Sequence, residues 1–137
     1  MSFLGPTSDP LRQQLIDIRN SLLRLHKALL DSERSLYEKV HGPIASPSAF
    51  LQLLIGDSWF AWLKPMTALV VEIDETLAAR DLADTDDFRQ LISRAGILLN
   101  PEEANHGFGE HYSDVIQRDS GVAHLHVEII RQIHKPA

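Results

Sequence analysis

From Leu11 to Val40 the chain reads LRQQLIDIRNSLLRLHKALLDSERSLYEKV, thirty residues without a glycine or a proline. Leu11, Leu15, Ile18, Leu22, Leu25 and Leu29 step by four and three, the spacing of one face of an α-helix. After a polar slot at Ser32, Leu36 and Val40 resume the pattern. A second row, Ile16, Leu23, Leu30 and Tyr37, repeats every seven, and at ~100° per residue the two rows cover about 160° of the helix. A two-stranded coiled coil needs only the narrow first seam, so this helix is expected to touch at least two neighbours. Ser8-Asp9-Pro10 supplies a cap and a proline at the start, and Gly42-Pro43 supplies the stop. The result is one long helix of roughly 30 residues and about 45 Å.

Working outward, Ser46-Pro47 opens a short helix to about Ile55, and Gly56-Asp57-Ser58 breaks and recaps the chain. The segment from Trp59 to about Arg80 reads as one helix kinked at Pro65. Its apolar first half makes it the most buried element. Leu82 to Asp87 is an acidic connector, and Asp84 or Thr85 caps a helix with the face Phe88, Leu91, Ile92, Ala95 and Leu98. Asn100-Pro101-Glu102-Glu103 is expected to open a further helix weakened by Gly107 and Gly109. The segment Val122 to His134 fits a strand or a helix, and helix is preferred because a lone strand has nothing to pair with. The fold class expected is all-α: an up-down bundle of four main helices plus short ones, with a long first helix. Residues 1–9 are expected to be a flexible N-terminus and 10–137 a single domain.

The runs Leu22-Leu23-Arg24-Leu25-His26-Lys27-Ala28-Leu29-Leu30-Asp31, Ser58-Trp59-Phe60-Ala61-Trp62-Leu63-Lys64-Pro65 and Ile73-Asp74-Glu75 resemble a family of small, uncharacterised bacterial all-helical proteins. The resemblance covers most of the chain after the first ten residues. It implies a helical, soluble, bacterial protein and implies no activity.

Composition narrows the function classes. There is no cysteine, which excludes disulfides, thiolate catalysis and every Cys-containing zinc site. A net charge of −6 disfavours nucleic acid or an anionic membrane as the main partner. No signal peptide or spanning segment is visible, so a cytoplasmic location is expected. No Gly-x-Ser-x-Gly elbow and no phosphate loop is present, and Gly107-Phe108-Gly109 lacks the lysine and the preceding strand such a loop requires.

Seven histidines raise a metal reading of the hemerythrin or ferritin type, in which inward Glu-x-x-His pairs hold two ions. Glu38 and His41 turn away from the Leu36–Val40 seam. Glu103, His106 and Glu110 share one face and, with His26, form the alternative metal set, although Glu103 is also explained by capping behind Asn100. His124 and His126 diverge by about 160° on a helix and do not chelate together. The aromatics Phe50, Trp59, Phe60 and Trp62 read either as core or as the lining of a pocket beside Pro65.

The feature out of place is a polar line, Arg12, Arg19, His26 and Glu33, repeating every seven between the two apolar rows. Half-buried charges need partners or a route to solvent, and Asp74 is the expected partner of Arg19, with Arg12 as the alternative. Arg19, His26, Glu33, Asp74, Trp59 and Trp62 are thus the candidate polar line or pocket. The row Ile16, Leu23, Leu30 and Tyr37 is the candidate interface of a homodimer. The reading favoured is a non-enzymatic interaction or small-ligand-binding module without a cofactor, and the alternative is a metal-dependent bundle enzyme.

Overall fold

The computed structural model describes residues 5–79, 83–102 and 107–136, with side chains from Pro10 onward. It is an all-α helical bundle, and no strand occurs among the described residues. Helix α1 spans Gly5–His41, 37 residues, or about 55 Å. The helix therefore begins before the expected Ser8-Asp9-Pro10 start, and Pro10 lies inside it. Of the segment 1–9, Gly5–Asp9 is helical, and residues 1–4 lie outside the described residues.

The apolar seam of α1 is buried from Leu11 through Leu29. It does not resume at Val40 as the spacing implied: Val40 is 62% exposed, and the next buried position after Leu29 is taken by Glu33. Leu36 is half-buried. Helix α2 (Pro47–Gly56) starts as expected, with the Ser46 side chain accepting from the Ala49 N–H at 3.0 Å. None of its residues is buried.

Pro65 does not kink a helix. Residues Ser58–Leu63 form a 3-10 segment capped by Asp57, whose carboxylate accepts from the Trp59 N–H at 2.8 Å. Helix α3 (Lys64–Ala78) then begins with Pro65 in its first turn, where the missing N–H has no intrahelical partner to lose. Phe60, Trp62, Leu63 and Met66 are buried, in keeping with the apolar composition of this stretch. The expected end at Arg80 and the connector's start at Leu82 lie outside the described residues.

Helix α4 (Thr85–Leu98) carries a reciprocal capping box, Asp84 and Asp87 each accepting the other's N–H at 2.9 Å. Asn100-Pro101-Glu102 is a turn in which the Asn100 side chain accepts from the Glu102 N–H at 3.0 Å, and Glu103, the last residue of the expected start, lies outside the described residues. Helix α5 (Phe108–Arg118) begins after Gly107, which holds a left-handed φ of 80°. Gly109 lies in the first turn of this helix. A Cβ built there would lie 2.5 Å from the Pro101 carbonyl oxygen, so glycine is what allows α5 to start against the turn. Helix α6 (Ser120–Ile133) settles the ambiguous last segment as helix, with Asp119 accepting from the Gly121 and Val122 N–H groups.

In the bundle α1 packs against α3, α4 and α6. Helices α3 and α6 run antiparallel to α1: Arg12 meets Leu77 and His26 meets Thr67 on one side, while on the other Gln14 meets Gln132 at the end of α6 and Glu33 meets Arg118, just before its start. The order α1, α3, α4, α6 is thus up, down, up, down. Helix α5 sits at the Glu33 end, against α6 and the 3-10 segment, and α2 rests on that segment through Phe50 and Phe60. The Leu11–Leu29 seam, Met66, Ile73, Phe88, Leu99, Tyr112, Val115 and Ile129 build the shared core.

Candidate functional site

All four members of the polar line on α1 find partners, and the partners come in antiparallel order. The Arg12 guanidinium donates to the Leu77 carbonyl at 3.2 Å, and Arg19 Nε donates to Asp74 Oδ1 at 2.6 Å. His26 Nε2 lies 3.1 Å from Thr67 Oγ1, and burial holds this imidazole below its usual pKa. At the far end the Glu33 carboxylate accepts from Trp59 Nε1 at 2.8 Å and from Arg118 at 3.2 Å. The line is therefore a seam lacing α1 to α3 and the 3-10 segment. The Arg19–Asp74 pair is the one read from the sequence. Arg118 was not anticipated, because nothing in its local pattern points to a residue so distant in the chain.

Trp62 stands apart from this seam. Its ring stacks on His111, with centroids 5.2 Å apart and planes 15° from parallel, and it packs against Phe108. The aromatics near Pro65 thus divide into two groups. Trp59 and Phe60 join Tyr37 at 5.4 and 5.6 Å, with Phe50 against Phe60 and the Arg34 guanidinium over the Phe50 ring.

A cleft of about 700 Å³ opens between α4 and α6 over Leu11 and Gln14 of α1, within the roughly 300–1,000 Å³ of ligand sites. Leu11, Ile92, Leu99, Ile130 and Ile133 give it an apolar floor, and Ile97, 48% exposed, forms part of its rim. Arg89, Ser93, His134 and Lys135 line it toward the start of α4 and the end of α6, and Asn100 and His126 line it toward the other end. Gln14 fixes the wall on the α1 side by donating to the Gln132 and Lys135 carbonyls at 2.9 and 3.1 Å.

His126 is held from behind. Its Nδ1 lies 2.7 Å from the hydroxyl of Tyr112, a side chain with no exposed surface. Burial pushes the Tyr112 phenol well above its usual pKa and the His126 imidazole below its own. At neutral pH the phenol therefore keeps its proton and the ring is neutral, so one hydrogen bond anchors the imidazole while the rest of its ring lines the cleft. This pair was missed in the sequence reading, where His126 was weighed only against His124. His124 instead pairs with Glu128 at 3.2 Å on the exposed side of α6.

Of the alternative metal set, Glu103 and His106 lie outside the described residues. Glu110 is exposed in the first turn of α5, and His26 is engaged with Thr67 on α1. Among the described residues no three His, Asp or Glu side chains gather as metal ligands. Of the candidate interface row, Ile16 is half-buried, Leu30 packs on the core and Tyr37 sits in the aromatic group with Trp59. Only Leu23 is exposed, at 40%. Among the described residues no helix is long and apolar enough to cross a membrane.

Fold and cleft together define a small all-α bundle with a ligand-sized depression between two of its main helices. Comparison with known proteins finds no matching family model, no matching curated protein and no matching solved structure, so the functional argument rests on geometry.

Proposed function

We propose that this protein is a small-ligand-binding module and that the α4–α6 cleft is its binding site. The observation that carries the reading is a cleft whose apolar side chains, Leu11, Ile92, Ile130 and Ile133, stand beside a few polar groups, Gln14, Arg89, Ser93, Asn100 and His126. Binding sites for small amphipathic molecules combine apolar walls with a few placed polar groups in this way. The polar seam on α1 has no such role, since its groups are already bonded within the chain. A neutral reporter tests the site: Nile red fluorescence rises on adding the full chain and is lost in Ser93→Trp, which fills the cleft from its exposed wall. Nile red bound equally by the variant refutes the assignment and points to the exposed apolar side chains of α2.

A second reading, self-association, is favoured by one observation. Leu23 lies between Arg19 and His26, Val71 lies between their partners Asp74 and Thr67, and both are exposed, at 40% and 49%. We propose a homodimer paired along this α1–α3 edge, with Leu23 at its centre and Ile16 and Leu30 beside it. Sedimentation equilibrium at micromolar concentration gives a mass of two chains, and Leu23→Glu with Val71→Glu returns it to one. A 15.4 kDa species for the unaltered chain sinks this reading.

A further inference from the structure

The charge around the cleft is opposite to that of the protein. The chain carries −6 overall, yet the residues lining the cleft include the cations Arg89 and Lys135 and, among the described residues, no carboxylate. Asp86 approaches Arg89 at 3.7 Å as an exposed neighbour on the same helix, a contact that contributes little and competes weakly with a ligand. Among the described residues no carboxylate lies within ion-pair distance of Lys135. From Arg89 to Asn100 the α4 wall runs about 16 Å at helical rise. The cations Arg89 and Lys135 stand toward one end of the cleft, and Asn100 and His126 stand toward the other.

Resting on the reading of the cleft as a ligand site, we infer that its ligand is an elongated amphipathic carboxylate. The acid group sits between Arg89 and Lys135. The apolar body lies over Ile92, Ile130 and Ile133. The far end meets the Asn100 amide and the His126 ring, which suits a chain ending in a hydroxyl or carbonyl oxygen. A cationic or zwitterionic amphiphile meets like charge at the first end and no acceptor carboxylate anywhere along the floor. A fixed-charge guanidinium gives a carboxylate a fork of donors, and the ammonium adds a second positive group.

The test compares decanoate with decanol, both below micelle formation, by isothermal titration of the full chain. Decanoate is expected to bind roughly tenfold more tightly than decanol, a difference typical of one charge-assisted contact. Arg89→Gln with Lys135→Gln, both at exposed positions, is expected to remove that preference and leave decanol binding unchanged. Equal binding of the two probes, with both lost in Ser93→Trp, overturns the carboxylate inference and leaves the cleft as a ligand site. No binding of either probe, or binding that Ser93→Trp does not alter, overturns the site and the inference together. Circular dichroism of each variant confirms that the helices are retained.

Discussion

Glu33 and Arg118 are 85 residues apart in the chain and meet at 3.2 Å, where α1 reaches the end of the bundle and α5 hands over to α6. Glu33 is 5% exposed, and its second oxygen accepts from the Trp59 indole. One carboxylate thus ties together three parts of the chain. A buried carboxylate deprived of its cation keeps its desolvation cost and loses its compensation.

Arg118→Leu is accordingly expected to destabilise the protein by about 1–3 kcal/mol, the upper end being tempered by the partial exposure of the guanidinium. Adding Glu33→Gln removes the stranded charge while keeping an acceptor for the Trp59 N–H, so the double variant recovers part of the loss. Urea unfolding of the four chains of the double-mutant cycle measures this coupling. Additive effects would show that the pair does not act as one unit.

Gly109→Ala is expected to cost about 1–3 kcal/mol, as overpacking does in a tight site. The added carbon has backbone to displace, the Pro101 carbonyl at 2.5 Å, and no flexible side chain that could yield. Gly56→Ala, where nothing lies within 4 Å, serves as the control. Equal thermal midpoints for the two variants would contradict the close approach.

Acidification has a predictable sign. His26 and His126 are both held below the usual imidazole pKa of 6.5 by burial, so the unfolded chain binds more protons than the folded one as pH falls through that value. Stability contributed by the neutral rings is present above about pH 6.5 and declines below it, down to the lowered folded pKa values. Unfolding midpoints are therefore expected to fall between about pH 7 and about pH 5.5, and His126→Gln is expected to flatten the decline. A midpoint that rises over this range would reverse the assignment.

The end of the apolar seam is testable by truncation. Leu22→Ala opens a cavity at a fully buried position and is expected to cost about 2–5 kcal/mol. Val40→Ala, at 62% exposure, is expected to change stability by less than about 0.5 kcal/mol. A similar cost at both sites would mean that the seam runs on to Val40.

The long helix, its buried row and the Arg19–Asp74 tie were legible because each depends on periodicity within one helix and on a simple antiparallel register. Pro65 was not, since proline can either bend a helix or begin one, and the choice rests on the 3-10 geometry of Ser58–Leu63. Gly109 looked like a weak point because its reason, the Pro101 carbonyl, lies across a turn. The cleft left no periodic trace at all. Its walls come from Leu11 and Gln14 of α1, one face of α4 from Arg89 to Ile97, and α6 from His126 to Ile133 with the residues after it, and its charges, Arg89 and Lys135, look like ordinary solvated residues in the sequence. Tyr112 and His126 are likewise brought together only by the α5–α6 corner.

The packing of α1 on α6 also sets an order of events during synthesis. The leucine face from Leu15 to Leu29 leaves the ribosome early, but the helix that covers one flank of it follows Asp119. A nascent chain that has not yet passed this point holds a long greasy surface with one side open, a substrate for holdase chaperones and a hazard at high expression. Translation products truncated before Asp119 lack the helix that covers this flank and are expected to be insoluble or chaperone-bound on expression, which a solubility comparison with the full chain checks.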